Sequence, residues 1–140
     1  MNAKVFIDTN ILVYAHDNQA GRKQKTARST LLGLAQTRLG AVSMQVLQEF
    51  YTTVTRKLAS PLPKEEARAI VEDFTYWCVA TTPAEIKQAF LIEDAAKIGF
   101  WDALIVAAAI RSGAAKILSE DLNPAQTIAG IQIENPFAVP

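Results

Sequence analysis

At 140 residues the chain has the size of one domain spanning 1–140, and half of its residues are hydrophobic, enough for a substantial core. Fourteen basic residues balance fourteen acidic ones, which argues against a broadly basic surface for indiscriminate nucleic-acid binding, and the single cysteine, Cys78, excludes an internal disulfide. No signal-peptide pattern is visible, and the longest unbroken apolar run, Ala103 to Ile110, falls far short of the roughly 20 residues that span a bilayer, so a soluble cytoplasmic protein is expected.

In chain order, Lys4 to Ile7 reads as a short strand, and Asn10 to Ala15 as a first helix or turn closed by His16, Asp17, Asn18 and Gly21. Lys23 to Ala35 carries apolar residues at helical spacing, and its basic start, Arg22, Lys23, Lys25 and Arg28, reads first as a solvated face. Ala41 and Val42 form a second short strand, after which Ser43 caps a helix reaching Leu58 with the stripe Val46, Leu47, Phe50 and Val54. Ser60-Pro61-Leu62-Pro63 is a break. Lys64 to Phe74 is helical, Cys78 to Ala80 is strand-like, and Thr82-Pro83 opens a helix through Ala96 that Gly99 ends. Asp102 then opens the helix Ala103 to Arg111, which Gly113 stops. Lys116 to Leu118 and Ile131 to Ile133 are the last strands, on either side of a loop over Ser119 to Pro124. Short strands between long helices predict an α/β three-layer sandwich, a mainly parallel central sheet flanked by helices on both faces.

Four carboxylates fall at the junctions of these elements. Asp8 interrupts FIDTNILVYA directly after the first strand, where an ionised group costs several kcal/mol without a partner. Asp121 follows the strand Lys116 to Leu118, Asp102 opens an all-apolar helix, and Glu49 flanks the apolar stripe of its own helix. Taken singly, Asp102 is equally a helix cap, Asp121 a turn residue before Asn123-Pro124, and Glu49 a solvated residue answering Arg56 or Thr53. Asp8 is harder to dismiss, because no usual helix-start pattern coincides with it.

Taken together, the four suit a divalent cation in the crevice at the carboxyl ends of parallel strands, where like charges repel unless neutralised. Oxygen ligands favour magnesium or manganese, and with one histidine, His16, and one cysteine the chain lacks the cluster that zinc requires. Neither a glycine-rich phosphate loop nor a GxSxG elbow is present, so nucleotide-cofactor and serine-hydrolase chemistry lack their equipment. Phosphodiester hydrolysis fits acids holding a metal. Two other readings stay open: a non-catalytic module whose acidic pocket holds a basic peptide, and an α/β domain whose acids are only caps and turns.

The sequence resembles the PIN-domain family and, within it, the VapC-type toxin ribonucleases of type II toxin–antitoxin modules. The likeness runs through FIDTNILVYA with Asp8, VLQEFY with Glu49, FWDALIVAAAI with Asp102, ILSEDLN with Asp121, and the closing ENPF. It implies an Mg2+- or Mn2+-dependent endoribonuclease in which Asp8, Glu49, Asp102 and Asp121 match the acidic quartet that binds metal and catalyses cleavage. Asn10 and Ser119 match supporting polar residues, and Asp121 is preferred to Glu120 because the family's acid stands two after the serine. The implied partners are an RNA substrate, transfer or ribosomal, a cognate antitoxin and a second copy in a homodimer, with no membrane. RNA contacts would come from Arg22, Lys23, Lys25 and Arg56. Apolar faces around Leu31 and Leu34, or Phe74 and Trp77, serve equally as core or as dimer or antitoxin contact.

Overall fold

The computed structural model describes residues 3–124 and 126–138. In chain order these form β1 (Lys4–Ile7), α1 (Thr9–Ala15), α2 (Arg22–Thr37), β2 (Gly40–Ala41), α3 (Met44–Arg56), α4 (Lys64–Phe74), α5 (Ala84–Ala96), α6 (Phe100–Ser112), β3 (Ala114–Leu118), β4 (Thr127–Ile128) and β5 (Ile131–Glu134). The sheet runs β2-β1-β3-β5-β4. Its first four strands in that order are parallel, and β4 pairs antiparallel with β5 at the edge. Helices pack around it in the expected three-layer α/β arrangement.

Phe6 and Ile7 on β1 and Ile117 and Leu118 on β3 are buried, as central strands covered on both faces require. Across them lies α6, whose Ala103, Val106, Ala107 and Ala109 are buried, small side chains that let the helix sit close to the sheet. On β5 burial alternates, Ile131 and Ile133 inward, Gln132 and Glu134 outward. No helix among the described residues is long and apolar enough to cross a membrane.

The order of strands creates the crevice. The chain leaving β1 travels toward β2, whereas the chain leaving β3 travels the other way, toward β5, so the two connections part between neighbouring strands. That is the switch point at which open parallel sheets bind ligands. Asp8 begins one connection and Ser119 the other.

Several elements differ from expectation for identifiable reasons. The strand expected over Cys78–Ala80 is a single parallel bridge between Val42 and Cys78. Lys97, with φ 56°, ends α5, and Gly99 instead caps α6, so Asp102 sits within the first turn of that helix rather than opening it. Pro83, not Thr82, is the N-cap of α5, and the Glu85 carboxylate accepts from both the backbone N–H and the hydroxyl of Thr82, each at 2.8 Å, which pairs a buried glutamate. The sequence reading passed over β4 altogether; it is two residues long, and its turn into β5 uses Ala129 and Gly130, both at positive φ.

Gly40 marks the tightest approach: a Cβ there would lie 2.2 Å from a Trp77 ring carbon. The indole packs edge-on to Phe74, and the Trp77 backbone carbonyl accepts from the Val42 N–H at 2.9 Å. Gly40→Ala is expected to lower stability by about 2 kcal/mol, read from the midpoint of urea unfolding; an unchanged midpoint would show that Trp77 swings aside freely.

Candidate active site

Asp8 is the N-cap of α1, a position the sequence reading did not recognise as a helix start. Its Oδ1 accepts from the Thr9 N–H at 2.7 Å and its Oδ2 from the Ser119 hydroxyl at 2.7 Å. Ser119 is fully buried, and its Oγ accepts in turn from the backbone N–H groups of Asp121 and Leu122, each at 3.1 Å. One hydroxyl thus ties the end of β1 to the loop after β3 and shapes that loop so that Asp121 follows at the exposed side. The Asp8 N–H also donates to the Leu118 carbonyl at 3.0 Å, extending the β1–β3 ladder to the lip of the crevice.

Burial pushes the Asp8 carboxyl up to about 6, against the hydrogen bonds from Ser119 and Thr9, with the negative charges of Asp121 and Asp102 adding to the rise. Burial likewise raises Asp102, and again Asp121 adds to it. Both carboxylates stand at helix N-termini, where the macrodipole favours an anion. Desolvation and mutual repulsion outweigh that help. These three side chains, from the ends of β1 and β3 and the first turn of α6, therefore share one electrostatic environment.

Glu49 joins them differently. It is exposed on α3, and its Oε1 accepts from the Thr9 hydroxyl at 2.9 Å, the residue beside Asp8, rather than answering Arg56 or Thr53. Glu49 and Asp121 both line a cleft of about 320 Å³, together with Thr9, Asn10 and Lys57. Asn10 Oδ1 accepts from the Glu120 N–H at 3.4 Å, while its Nδ2 is buried without a partner among the described residues.

The adjacent acid has another role. Glu120 accepts hydrogen bonds from the Tyr14 hydroxyl and the Lys23 ammonium, and Phe137 packs edge-on to Tyr14 at 5.2 Å. Burial alone would raise the Glu120 carboxyl, but its bonds from Lys23 and Tyr14 and the lysine's charge hold it below the usual range. Lys23, one of the expected RNA contacts, is thus already engaged beside the cleft, while Arg22, Lys25 and Arg56 are exposed. His16 packs against Phe50 and Phe74, and its Nδ1 lies 2.8 Å from the Leu12 carbonyl, away from the acids.

The donor set suits a hard cation: the acids and their neighbours offer oxygen, and none of the ion pairs among the described residues neutralises Asp8, Glu49, Asp102 or Asp121. Among the described residues no three acidic, histidine or cysteine side chains stand close enough to chelate one ion directly. Magnesium keeps much of its water and takes only one or two carboxylates directly, so a direct three-carboxylate cage is not what that ion requires.

The PIN domain family profile matches residues 5–129. The chain belongs to the PIN domain family. No curated protein sequence matches it significantly. Solved structures do. VapBC2 from Rickettsia felis, bound to a DNA fragment from its promoter, aligns with TM-score 0.65 and 21% identity over 94% of this chain and 97% of its own. DNA-bound VapBC from Salmonella typhimurium gives 0.65 and 22% over 96% and 99%. Mycobacterium tuberculosis VapC20, described as a sarcin–ricin-loop-cleaving toxin, gives 0.60 and 19% over 84% and 90%.

In this PIN domain, three participants went unnoticed in the sequence. Thr9 links Asp8 to Glu49, Tyr14 pins the Asp121 loop through Glu120, and Lys57 lines the cleft. Only Lys57 carried a signal, lying two helical repeats beyond Glu49 with Thr53 between them.

Two outcomes follow from the Asp8 environment. Asp8 titrates near 3.8 when unfolded and near 6 when folded, so between these values the folded state holds the extra proton. Its contribution is full below about pH 4 and is lost as pH rises through about 6, on the order of 3 kcal/mol in all. Urea unfolding in chelator from pH 4 to 7 should show this decline in the wild type relative to Asp8→Asn; parallel profiles would contradict it. Ser119→Ala strips a donor from Asp8 and an acceptor from two backbone N–H groups, and should cost roughly 3 kcal/mol by the same measurement.

Proposed function

We propose that this PIN domain is a divalent-metal-dependent endoribonuclease, the toxin of a toxin–antitoxin pair. The observation that carries the reading is that the charges of Asp8, Asp102 and Asp121 repel one another around the sheet's switch point, with none of the three in an ion pair among the described residues, in a fold shared with VapBC complexes and with a toxin described as cleaving the sarcin–ricin loop. RNA, transfer or ribosomal, is the proposed substrate, a cognate antitoxin the proposed inhibitor, and a homodimer the proposed assembly.

Asp8, Glu49, Asp102 and Asp121 would hold Mg2+ or Mn2+. When bound, the ion supplies positive charge that acidifies water and stabilises the oxygens of a phosphate under attack. The protein's own groups do the positioning. Ser119 fixes the Asp8 carboxylate, and Thr9 holds Glu49 toward it. The unpartnered Asn10 Nδ2 is suited to a phosphate oxygen, and Lys57 gives the cleft a positive wall for the backbone of a polyanion. The family resemblance implies in-line attack by water that leaves 5′-phosphate and 3′-hydroxyl ends, and such attack does not need the ribose 2′-hydroxyl.

Sequencing of RNA ends produced by the purified protein tests activity and target together. With magnesium the wild type should give discrete cuts, and Asp8→Asn, with its fold intact by circular dichroism, should lose them by about 100-fold or more. Undiminished cleavage by that variant would refute the assignment of Asp8, and cutting that persists in chelator would refute metal dependence. Tight capture of a basic peptide with no cleavage under any metal condition would favour the non-catalytic module instead.

A further inference from the structure

Charge is balanced over the whole chain but not over α2. That helix carries four basic residues and no acidic one between Arg22 and Thr37, in a protein with fourteen of each sign. Arg22, Lys23 and Lys25 crowd its N-terminal end, where the macrodipole disfavours cations, and α2 offers them no acid at a spacing of three or four. A face that served only helix stability would place its charges the other way round.

The cations form a strip. By the 3.6-residue period Arg22, Lys25 and Arg28 lie within about 120° of one another, on the side away from the buried Ala27, and all three are exposed. The apolar faces singled out in the sequence turn inward instead: Leu31 is buried, and Leu34, Phe74 and Trp77 pack against the core. Arg28 Nε donates to the Ala15 carbonyl at 2.8 Å, which orients the guanidinium while its other N–H groups stay available to the cleft of about 400 Å³ that it lines. Ala35 and Trp77 line that cleft and also the next one, of about 270 Å³, together with Lys4, Arg38 and Tyr76. Lys4 and Arg38 are exposed, and Tyr76, at 91%, is more exposed than any other large apolar side chain among the described residues. Arg22, Lys25, Arg28, Arg38 and Lys4 take part in no ion pair among the described residues.

One end of the strip lies at the acidic cleft, since Lys23, beside Arg22, is bonded to Glu120, the neighbour of Asp121. Sixteen residues of helix carry it about 24 Å from there. It finishes near Lys4, which starts β1, at the end of that strand opposite to Asp8. Free cations along a surface, closed by an open tyrosine ring, are the means by which proteins follow a nucleic-acid strand: charge meets the phosphates and the ring takes a base. An acidic peptide would use the charges and leave the ring idle. We propose that the exposed face of α2, with Lys4, Arg38 and Tyr76 at its far end, binds the RNA substrate outside the cleft, holding a single-stranded segment by its phosphates and stacking a base on Tyr76. The proposal rests on the ribonuclease reading for the identity of the polyanion and adds the path that the strand takes over the protein.

Fluorescence anisotropy of a labelled polyuridine strand, in chelator so that nothing is cut, tests the strip apart from catalysis. The wild type should bind with an affinity that falls as salt rises, and Lys25→Gln and Arg38→Gln should each flatten the slope of log affinity against log salt by about 0.7. Tyr76→Ala should weaken binding at least about fivefold with the slope unchanged, and Tyr76→Phe should bind as the wild type does. Lys64→Gln, an exposed cation at the end of α4 remote from Tyr76, should change nothing. An equal loss in Lys64→Gln would mean that charge anywhere suffices, and displacement of polyuridine by polyglutamate with no effect of Tyr76→Ala would assign the strip to an acidic protein; either result overturns the proposal. A wild type that cuts RNA in magnesium but does not retain polyuridine, or retains it undiminished in the strip variants, would overturn the strip and leave the ribonuclease reading standing. A wild type that neither retains nor cuts RNA would overturn both.

Discussion

The hydrogen bond from the Ser119 hydroxyl to Asp8 Oδ2, 2.7 Å long and buried, joins two points more than a hundred residues apart in the chain. It spans neighbouring parallel strands at the place where their connections diverge. Because the same oxygen accepts from two backbone N–H groups of the following loop, the bond sets the position of the second acidic segment as well as that of the first. A carboxylate in this environment is held by geometry and disfavoured by burial at once. The fold keeps it there because its two hydrogen-bonding partners, the Thr9 N–H and the Ser119 hydroxyl, cannot easily be satisfied any other way.

Much of this was legible in the chain. The helices at Lys64–Phe74 and Ala84–Ala96 emerge after the prolines that announce them, Pro83 itself taking the N-cap expected of Thr82, and the Ser43 cap reads directly from its position before Val46. What failed to show were features decided by contacts distant in sequence. Cys78–Ala80 has the look of a strand, but only one bridge to Val42 is made, because the strand on that side is itself two residues long. The hairpin of Ala129 and Gly130 is hidden by alanine, which rarely takes positive φ.

For the site, the junctions that carry Asp8, Asp102 and Asp121 could be picked out because acids there contradict the burial of their neighbours. The manner in which each is held could not. The roles of Glu120 and Asp121 illustrate this: adjacent carboxylates on one bend, they are separated only by the Tyr14 and Lys23 that claim the former. Both claimants lie on the far side of the chain's length, and no local pattern announces them.

That capture of Lys23 also bears on how a chain with no net charge comes to hold an acidic cleft. Among the described residues the side-chain cations that form ion pairs are spent on Glu120, Glu85 and Glu134, each outside the quartet. None of those pairs involves the quartet, although Lys57 lines the same cleft as Glu49 and Asp121, and the quartet's members differ in how firmly they are held. Asp8 is locked between Thr9 and Ser119, whereas Glu49 is exposed and held by one hydroxyl. The buried member is fixed by the ends of the central strands, whereas the exposed member can shift without rebuilding the core. Cleft and core are therefore separable in this fold: the part that must be exact lies on strand ends, and the part that must yield lies on the outer face of α3.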